Sequence, residues 1–400
     1  MSSRPALFAL LLGAVVVASS PPLRAAPHRP LDGIAELDRQ SEAVLELLAA
    51  GDLRRAAVIA RQLTRRFPRF ALGQLLHAEL SALAALDRPL VSADQAWSPA
   101  LIDLLLEARA RLPARADPDR VDPAELPVPP RPIVQLGAHV RHLVVVDLAR
   151  SALELLEVNG GVATRTRQHY VSSGSAGFDK FEEGDRKTPI GLYRITRALR
   201  DVELPELYGA GALVLDYPNA WDRHRGRTGS GIWLHGVPRA RLSRSPRSSE
   251  GCVTMSNEHI ATLAARLEQP DTLVWLSGGE DGSTARTASE WADARQRYRT
   301  LFREWQTERL TLREPGPAAE TSAGSASFSA TELAALAMLD VNEVTILEKR
   351  SHGSDGPVDL VIMDLRLDAP VATGVTLWWT RRSGGDGWTL ELEDRRTAGA

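Results

Sequence analysis

The chain has 400 residues, 44% of them hydrophobic, which is enough to fill cores and excludes wholesale disorder. Its length points to two or three domains rather than one. With 48 basic and 51 acidic residues the net charge is -3, so no global field directs the protein to nucleic acid.

The N-terminus has the form of an export signal. Arg4 precedes an apolar run from Ala6 to Ala18, Pro21-Pro22 ends it, and Leu23-Arg24-Ala25-Ala26 supplies the small residues that signal peptidase prefers. The run is shorter than the ~20 residues a spanning helix needs, so residues 1–26 are expected to be a signal peptide, with an uncleaved anchor as the alternative. No cysteine follows at a lipidation position, and no later segment is long and apolar enough to cross a bilayer. The expectation is an exported protein of the periplasm or cell envelope, without stable membrane insertion after cleavage.

Residues 30–112 are predicted to form an α-helical domain. Ile34, Leu37, Ala43, Val44 and Leu47 follow helical spacing, and Gly51-Asp52 makes a turn. Ala56, Ala57, Ile59, Ala60 and Leu63 mark a second helix ending near Phe67-Pro68, followed by helices over Ala71–Leu86 and Leu101–Leu112. The phrase GDLRRAAVIARQLTRRFP and the helix after it resemble a tetratricopeptide-type hairpin, but span little more than one repeat where arrays need about three. Such helices either pack on the rest of the chain or receive a protein partner. Six prolines between Pro118 and Pro132 then block helix and predict an extended linker over residues 113–137.

From His142 the pattern changes to strands. Leu143 to Leu148 and Ala152 to Val158 are apolar runs, and Asn159-Gly160-Gly161 signals a hairpin into a strand over Thr164–Ser172. A polar turn, Gly184 to Pro189, feeds a strand at Ile190–Tyr193. Strands follow at Leu213–Tyr217 and Gly231–Leu234, then a helix at Asn257–Leu267 and a strand at Thr272–Leu276. Residues 138–278 are therefore expected to be a mainly-β domain. The arginine-dense run from Arg223 to Arg247 reads as a solvated loop, with contact to an anionic substrate as the alternative.

Beyond a small-residue linker, Ala288 to Leu312 reads as one amphipathic helix with Trp291, Tyr298, Leu301, Phe302, Trp305 and Leu310 largely on one face. Strands follow at Val344–Glu348, Val358–Leu367, Gly374–Thr380 and Trp388–Leu392. A long helix leading into an antiparallel sheet, over residues 288–396, resembles the nuclear-transport-factor-2-like cone in architecture.

The chemistry concentrates in Ile232–Asn257. Cys252 is the only cysteine in the chain, and His235-Gly236 lies 17 positions before it. A thiol needs a base to become a strong nucleophile near neutral pH, and imidazole is the usual partner. A buried structural cysteine is the alternative. Export weighs against that, because an oxidising compartment favours paired cysteines and exposes a lone thiol to oxidation. Gly251 allows close backbone approach, and its N–H with that of Cys252 is a candidate oxyanion hole. Ser249 either polarises substrate or shapes the turn. The nine histidines are scattered, so no metal site is expected and the chemistry needs no cofactor.

Three phrases stand in order along this region: GDRKTPIGLY at 184–193, LDYPNAWD at 215–222, and IWLHG followed by SSEGCV. Together they resemble the L,D-transpeptidase catalytic domain of bacterial cell-wall enzymes, over residues 138–278. The resemblance implies a multidomain chain whose mainly-β, β-sandwich-like catalytic domain is flanked by an N-terminal α-helical and a C-terminal α+β domain. It implies Cys252 as nucleophile, His235 as base oriented by a backbone carbonyl at the H-G step (Gly236), and peptidoglycan stem peptides as substrate. Tyr217, Lys187 and the weaker candidate His224 would position substrate, with packing the alternative, favoured for Tyr217. Two residues depart from the family pattern: Glu250 stands where a basic residue or histidine is frequent, and Thr254 where arginine or asparagine is often found. A carboxylate beside the thiol raises its pKa. Three readings stay open: a transpeptidase, a carboxypeptidase or endopeptidase cutting the same bond, and a non-catalytic envelope-binding protein.

Overall fold

In the computed structural model the described residues are 32–86, 98–111, 132–159, 161–200, 203–239, 241–267, 272–279, 287–311, 320–321, 328–353, 356–367, 373–382 and 387–397. The expected signal peptide and most of the proline-rich linker lie outside them. No described helix is long and apolar enough to cross a membrane.

Four helices come first: α1 (Asp32–Ala49), α2 (Leu53–Arg66), α3 (Ala71–Leu86) and α4 (Pro99–Arg111). Asp52 caps α2 by accepting the Arg55 N–H at 3.1 Å, satisfying one of the donors a helix start leaves open. Ala56 and Ala60 present a small-residue face, and Leu37, Val44, Leu63, Phe70 and Leu76 fill the space against it. Leu242, from a loop some 130 positions further on, also packs against this core.

The chain continues through β1 (Ile133–Gln135), β2 (His142–Asp147), β3 (Ala152–Asn159), β4 (Val162–Tyr170), β5 (Ser173–Gly174), β6 (Gly191–Arg200) and β7 (Gly211–Leu215). Then come α5 (Ala220–His224), β8 (Trp233–His235), β9 (Arg247–Ser249), β10 (Val253–Thr254), α6 (Asn257–Arg266) and β11 (Leu273–Ser277). Eight of these strands form one sheet in the order β10-β8-β7-β6-β11-β2-β3-β4, while β5 and β9 pair in parallel beside it. The expected hairpin forms, with Asn159 opposite Val162.

The run Leu143–Val146 is continuously apolar because both faces of its sheet are covered. Alternation sends Val144 and Val146 into a core with Leu213, Leu234, Val253 and the α6 residues Ile260 and Leu263. Leu143 faces the other way, into a core shared with Trp275, Leu347, Ile362 and Trp378.

The last three of those partners belong to strands yet to be placed. After α7 (Ala288–Thr311), β12 (Glu320–Thr321) and α8 (Ala330–Met338), four long strands follow: β13 (Thr345–Gly353), β14 (Gly356–Leu367), β15 (Thr373–Arg382) and β16 (Thr389–Thr397). The six-stranded sheet runs β1-β13-β14-β15-β16-β12. Its first strand, Ile133–Gln135, comes from the end of the stretch expected to be linker. Its far face packs on α7 through Tyr298, Phe302 and Trp305. Leu310, expected on that face, is 38% exposed. Helix α8 lies between Leu312 and Val344, where the sequence predicts no element.

One ionic cluster crosses between the two sheets. Asp364 on β14 receives Arg194 of β6, Thr376 at 2.8 Å, Arg396 at 3.3 Å and His139 at 3.4 Å. Burial alone raises a carboxyl, but the Arg194 and Arg396 charges and the His139 hydrogen bond outweigh it and hold Asp364 well below the usual carboxylate range.

Candidate active site

Strands β8 and β10 run parallel, with Leu234 opposite Val253 and His235 opposite Thr254. Leu234 and Val253 both enter the core, so alternation puts Trp233, His235, Cys252 and Thr254 on the opposite face. Cys252 is then level with Trp233, one strand over and two residues back from His235. That offset is a Cα separation of about 8 Å, within reach of two converging side chains.

His235 is 7% exposed, and its Nδ1 lies 2.6 Å from the Gly236 carbonyl oxygen. A carbonyl only accepts, so Nδ1 carries the proton and Nε2 keeps a lone pair. Burial lowers the imidazole pKa to about 4, with the Arg244 charge acting the same way and the Gly236 hydrogen bond opposing. The ring is therefore neutral near pH 7, with its basic nitrogen free. The edge of Tyr208 packs against it at 5.0 Å.

Cys252 is partly buried, and its Sγ–H donates to the Gly231 carbonyl at 3.3 Å. Burial pushes the thiol pKa up. The Glu250 carboxylate adds to this, and a backbone hydrogen bond from Trp233 and the Lys180 ammonium act against it. The pair at rest is thus a neutral thiol with a neutral imidazole.

The loop in front of Cys252 is held by its own serine. Ser249 Oγ donates to the Cys252 carbonyl at 2.5 Å and accepts the Gly251 N–H at 3.1 Å. This is the turn-shaping role, and it occupies the Gly251 N–H that the sequence reading assigned to an oxyanion hole. The Cys252 N–H donates to no protein group among the described residues. Gly251 has φ 131°, and a Cβ there would stand 2.9 Å from the Lys187 carbonyl oxygen, so only glycine fits.

The GDRKTP turn lies directly beneath this loop. Thr188 Oγ1 donates to the Gly251 carbonyl at 2.9 Å and accepts the Gly174 N–H at 2.8 Å. Asp185 accepts from the Lys187 and Phe181 N–H groups and from Lys180 Nζ, all at 2.8–3.0 Å. Burial would raise the Asp185 carboxyl, but these donors hold it down at about 2. Lys187 thus meets the loop before Cys252 through its backbone carbonyl.

Tyr217 packs in the core and donates its hydroxyl to the Thr228 carbonyl at 3.0 Å. His224 stacks on Trp221 at 5.5 Å, and Trp221 on Trp378 of the C-terminal sheet. The structure gives both of these residues packing partners. Thr254 is buried and exchanges backbone hydrogen bonds with Ser172 at 2.8 Å. Part of the arginine-dense run is buried rather than solvated: Arg244 is 4% exposed and lies 5.2 Å over the Tyr170 ring.

Asn257 is the residue that the sequence reading overlooked. Its Oδ1 accepts the N–H groups of Ala210 and Val237 at 3.0 and 3.1 Å, and its Nδ2 donates to the Val237 carbonyl at 2.9 Å. This pins the backbone just beyond the H-G step, where a Cβ on Gly236 would collide with that same oxygen. The signal was Ser256-Asn257 at a helix start, where Ser256 is the cap and Asn257 is free to reach back.

Comparison with known proteins supports the domain. The family model for the YkuD L,D-transpeptidase catalytic domain matches residues 141–276. Among solved structures, Bd1075 of Bdellovibrio bacteriovorus is 23% identical, covering 68% of this chain and 98% of its own, with a TM-score of 0.47. The helical cell shape determining protein Pgp2 of Campylobacter jejuni is 17% identical, covering 66% and 95%, at a TM-score of 0.44. An L,D-transpeptidase from Mycobacterium smegmatis is 13% identical over 34% and 58%, at 0.23. No curated protein sequence matches the chain. The family match ends at residue 276 and does not extend to the C-terminal helix and sheet, where the cone resemblance rests on architecture.

Proposed function

We propose, with residues 141–276 belonging to the L,D-transpeptidase catalytic-domain family, that the protein is an exported cysteine acyltransferase acting on peptidoglycan stem peptides. The observation that carries the mechanism is the Nδ1–H of His235 held by the Gly236 carbonyl, which leaves Nε2 as a base on the face that the β8–β10 register also gives to Cys252. His235 Nε2 takes the Cys252 proton as sulfur attacks the amide carbonyl carbon. The Cys252 N–H is the backbone donor left for the developing oxyanion. The imidazolium then protonates the leaving amine, the C–N bond breaks, and a thioester remains on Cys252. An acceptor amine or water resolves it, and His235 again takes a proton from the attacking group.

Transfer to an amine is the reading we favour on the family resemblance of the motifs; the same cysteine–histidine pair would serve an amine or water as acceptor. Incubating the purified chain with disaccharide tetrapeptides and weighing the products tests this: cross-linked dimers are expected, and tripeptide alone would make the enzyme a carboxypeptidase. Cys252→Ala is expected to abolish both products, and undiminished activity in that variant would show that the domain only binds wall. A carbapenem is expected to add one molecule to Cys252, visible as a mass shift that the alanine variant lacks.

A further inference from the structure

Building on that reading, we infer that the N-terminal helices, together with Tyr170 at the end of β4, are a positioning device for the segment joining base to nucleophile, gripping it at Ser243 and, through Glu107 and Tyr170, at Arg244. Residues 237–246 contain no helix or strand among those described. Their backbone polar groups must find partners outside any ladder, and much of that partnering comes from the helical region and its neighbours, in register along the chain.

Leu242 is half-buried against the helical core. Ser243 Oγ accepts the Leu72 N–H at 3.3 Å, so a side chain of the catalytic loop caps the start of α3. The Arg244 N–H donates to Glu107 Oε2 at 2.9 Å, while Glu107 Oε1 accepts from Arg111 Nε at 2.9 Å. The Arg244 carbonyl accepts the Tyr170 hydroxyl at 2.7 Å, and the Tyr170 ring lies under both guanidiniums, 4.6 Å from Arg111 and 5.2 Å from Arg244. Ser245 and Pro246 are then taken up by Ser172 and Ser173, which lead into the β5–β9 pair.

Glu107 is the informative member. A carboxylate buried completely in α4 divides its two oxygens between its own helix and a loop 137 residues away. An apolar residue would serve helix packing alone at lower cost. The Gly236 end of the segment is fixed by Asn257 and its Ser249 end by β9. The helices therefore hold the middle, which carries Arg244, a charge that reaches His235.

The test uses the full purified chain and three variants: Glu107→Ala with Glu107→Gln as its conservative rescue, Tyr170→Phe, and Ser243→Ala. Two readouts are taken: the rate of Cys252 alkylation by iodoacetamide from pH 4 to 9, and kcat and KM on disaccharide tetrapeptide. Glu107→Ala is expected to lower alkylation and kcat tenfold or more with KM within twofold. Glu107→Gln should recover most of that, because its amide oxygen still accepts the Arg244 N–H. Tyr170→Phe and Ser243→Ala are expected to lose about threefold each and to move the pH profile, and they decide the matter if Glu107→Ala does not fold. Folded variants with unchanged rates and unchanged pH profile overturn the inference. A wild-type chain inert on stem peptides defeats the catalytic reading instead, and the alkylation series still reports whether the helices hold the loop.

Discussion

The catalytic sheet meets its two flanking regions in opposite ways. Against the C-terminal sheet it presents a broad apolar face, with Leu143, Trp275, Ile362 and Trp378 in one core and a single buried ionic cluster at Asp364. Against the N-terminal helices it offers helix α6, which meets α1, and a loop held by polar contacts at Ser243 and Arg244 with Leu242 packed on the helical core. Broad apolar burial is strong and non-directional, so it fixes how two sheets lie together without reference to chemistry. Polar contacts are weaker and directional, and these fall on the segment that runs between His235 and Cys252. The first joint is therefore expected to act on stability and the second on reactivity.

The strongest way to break that comparison is Trp378→Ala. Trp378 is 3% exposed and stacks on Trp221 in the shared core, so its removal is expected to cost about 3–5 kcal/mol. Thermal unfolding monitored by circular dichroism should show one transition shifted down by roughly 10 °C. At a temperature where the variant is folded, its Cys252 alkylation rate should match wild type. An unshifted transition would mean that the two sheets do not share a core in solution.

Acid provides the next test. An unfolded histidine has a pKa near 6.5, whereas burial holds His235 at about 4. Between those values the unfolded chain binds a proton that the folded chain refuses, so stability falls as pH drops from 6.5 to 4. The contribution of this one group is on the order of 3 kcal/mol over that window. Urea titrations at pH 7, 5.5 and 4.5 should show the loss in wild type and a smaller one in His235→Gln. Equal losses in the two would show that His235 titrates normally.

Leu242→Ala separates the joints from the other side. The residue is only partly buried, so the expected stability cost is about 1 kcal/mol, well below that of Trp378→Ala. Its effect on alkylation should nevertheless be several-fold, because it sits on the segment that carries Arg244. A variant that loses stability in that amount while keeping the wild-type rate and pH profile would remove the distinction between the two joints.

How much of this the sequence shows depends on how local each feature is. The amphipathic helices, the Asn159-Gly160-Gly161 hairpin and the continuous run at Leu143–Val146 follow from periodicity and turn chemistry within a few residues. Cys252 and His235 stand out by residue type and by the phrases around them. What stays hidden is long-range pairing. Nothing local says that Ile133–Gln135 adds a strand to a sheet 200 residues away, or that Glu107 accepts the Arg244 N–H. The Gly251 N–H could not be assigned from its own position, because its partner, Ser249 Oγ, has two roles open to it until the turn is built. Adjacency to a motif makes His224 and Tyr217 candidates, with packing favoured for Tyr217, and in the fold His224 stacks on Trp221 while Tyr217 packs in the core.

The smallest expected effect concerns the residue that departs from the family pattern. Glu250 is exposed, and its carboxylate raises the Cys252 pKa through space, behind the larger effect of burial. An exposed charge acts weakly and is screened by salt, so Glu250→Gln is expected to raise the alkylation rate at pH 7 by about two- to five-fold. The gain should shrink at high ionic strength, and unfolding should be unaffected. Because Glu250 belongs to the nucleophile loop itself and touches neither joint, this variant should add its factor independently to those of Leu242→Ala and Trp378→Ala. A double variant with Leu242→Ala that departs from the product of the two single factors would show that the helical joint acts on the thiol directly rather than through the segment bearing Arg244.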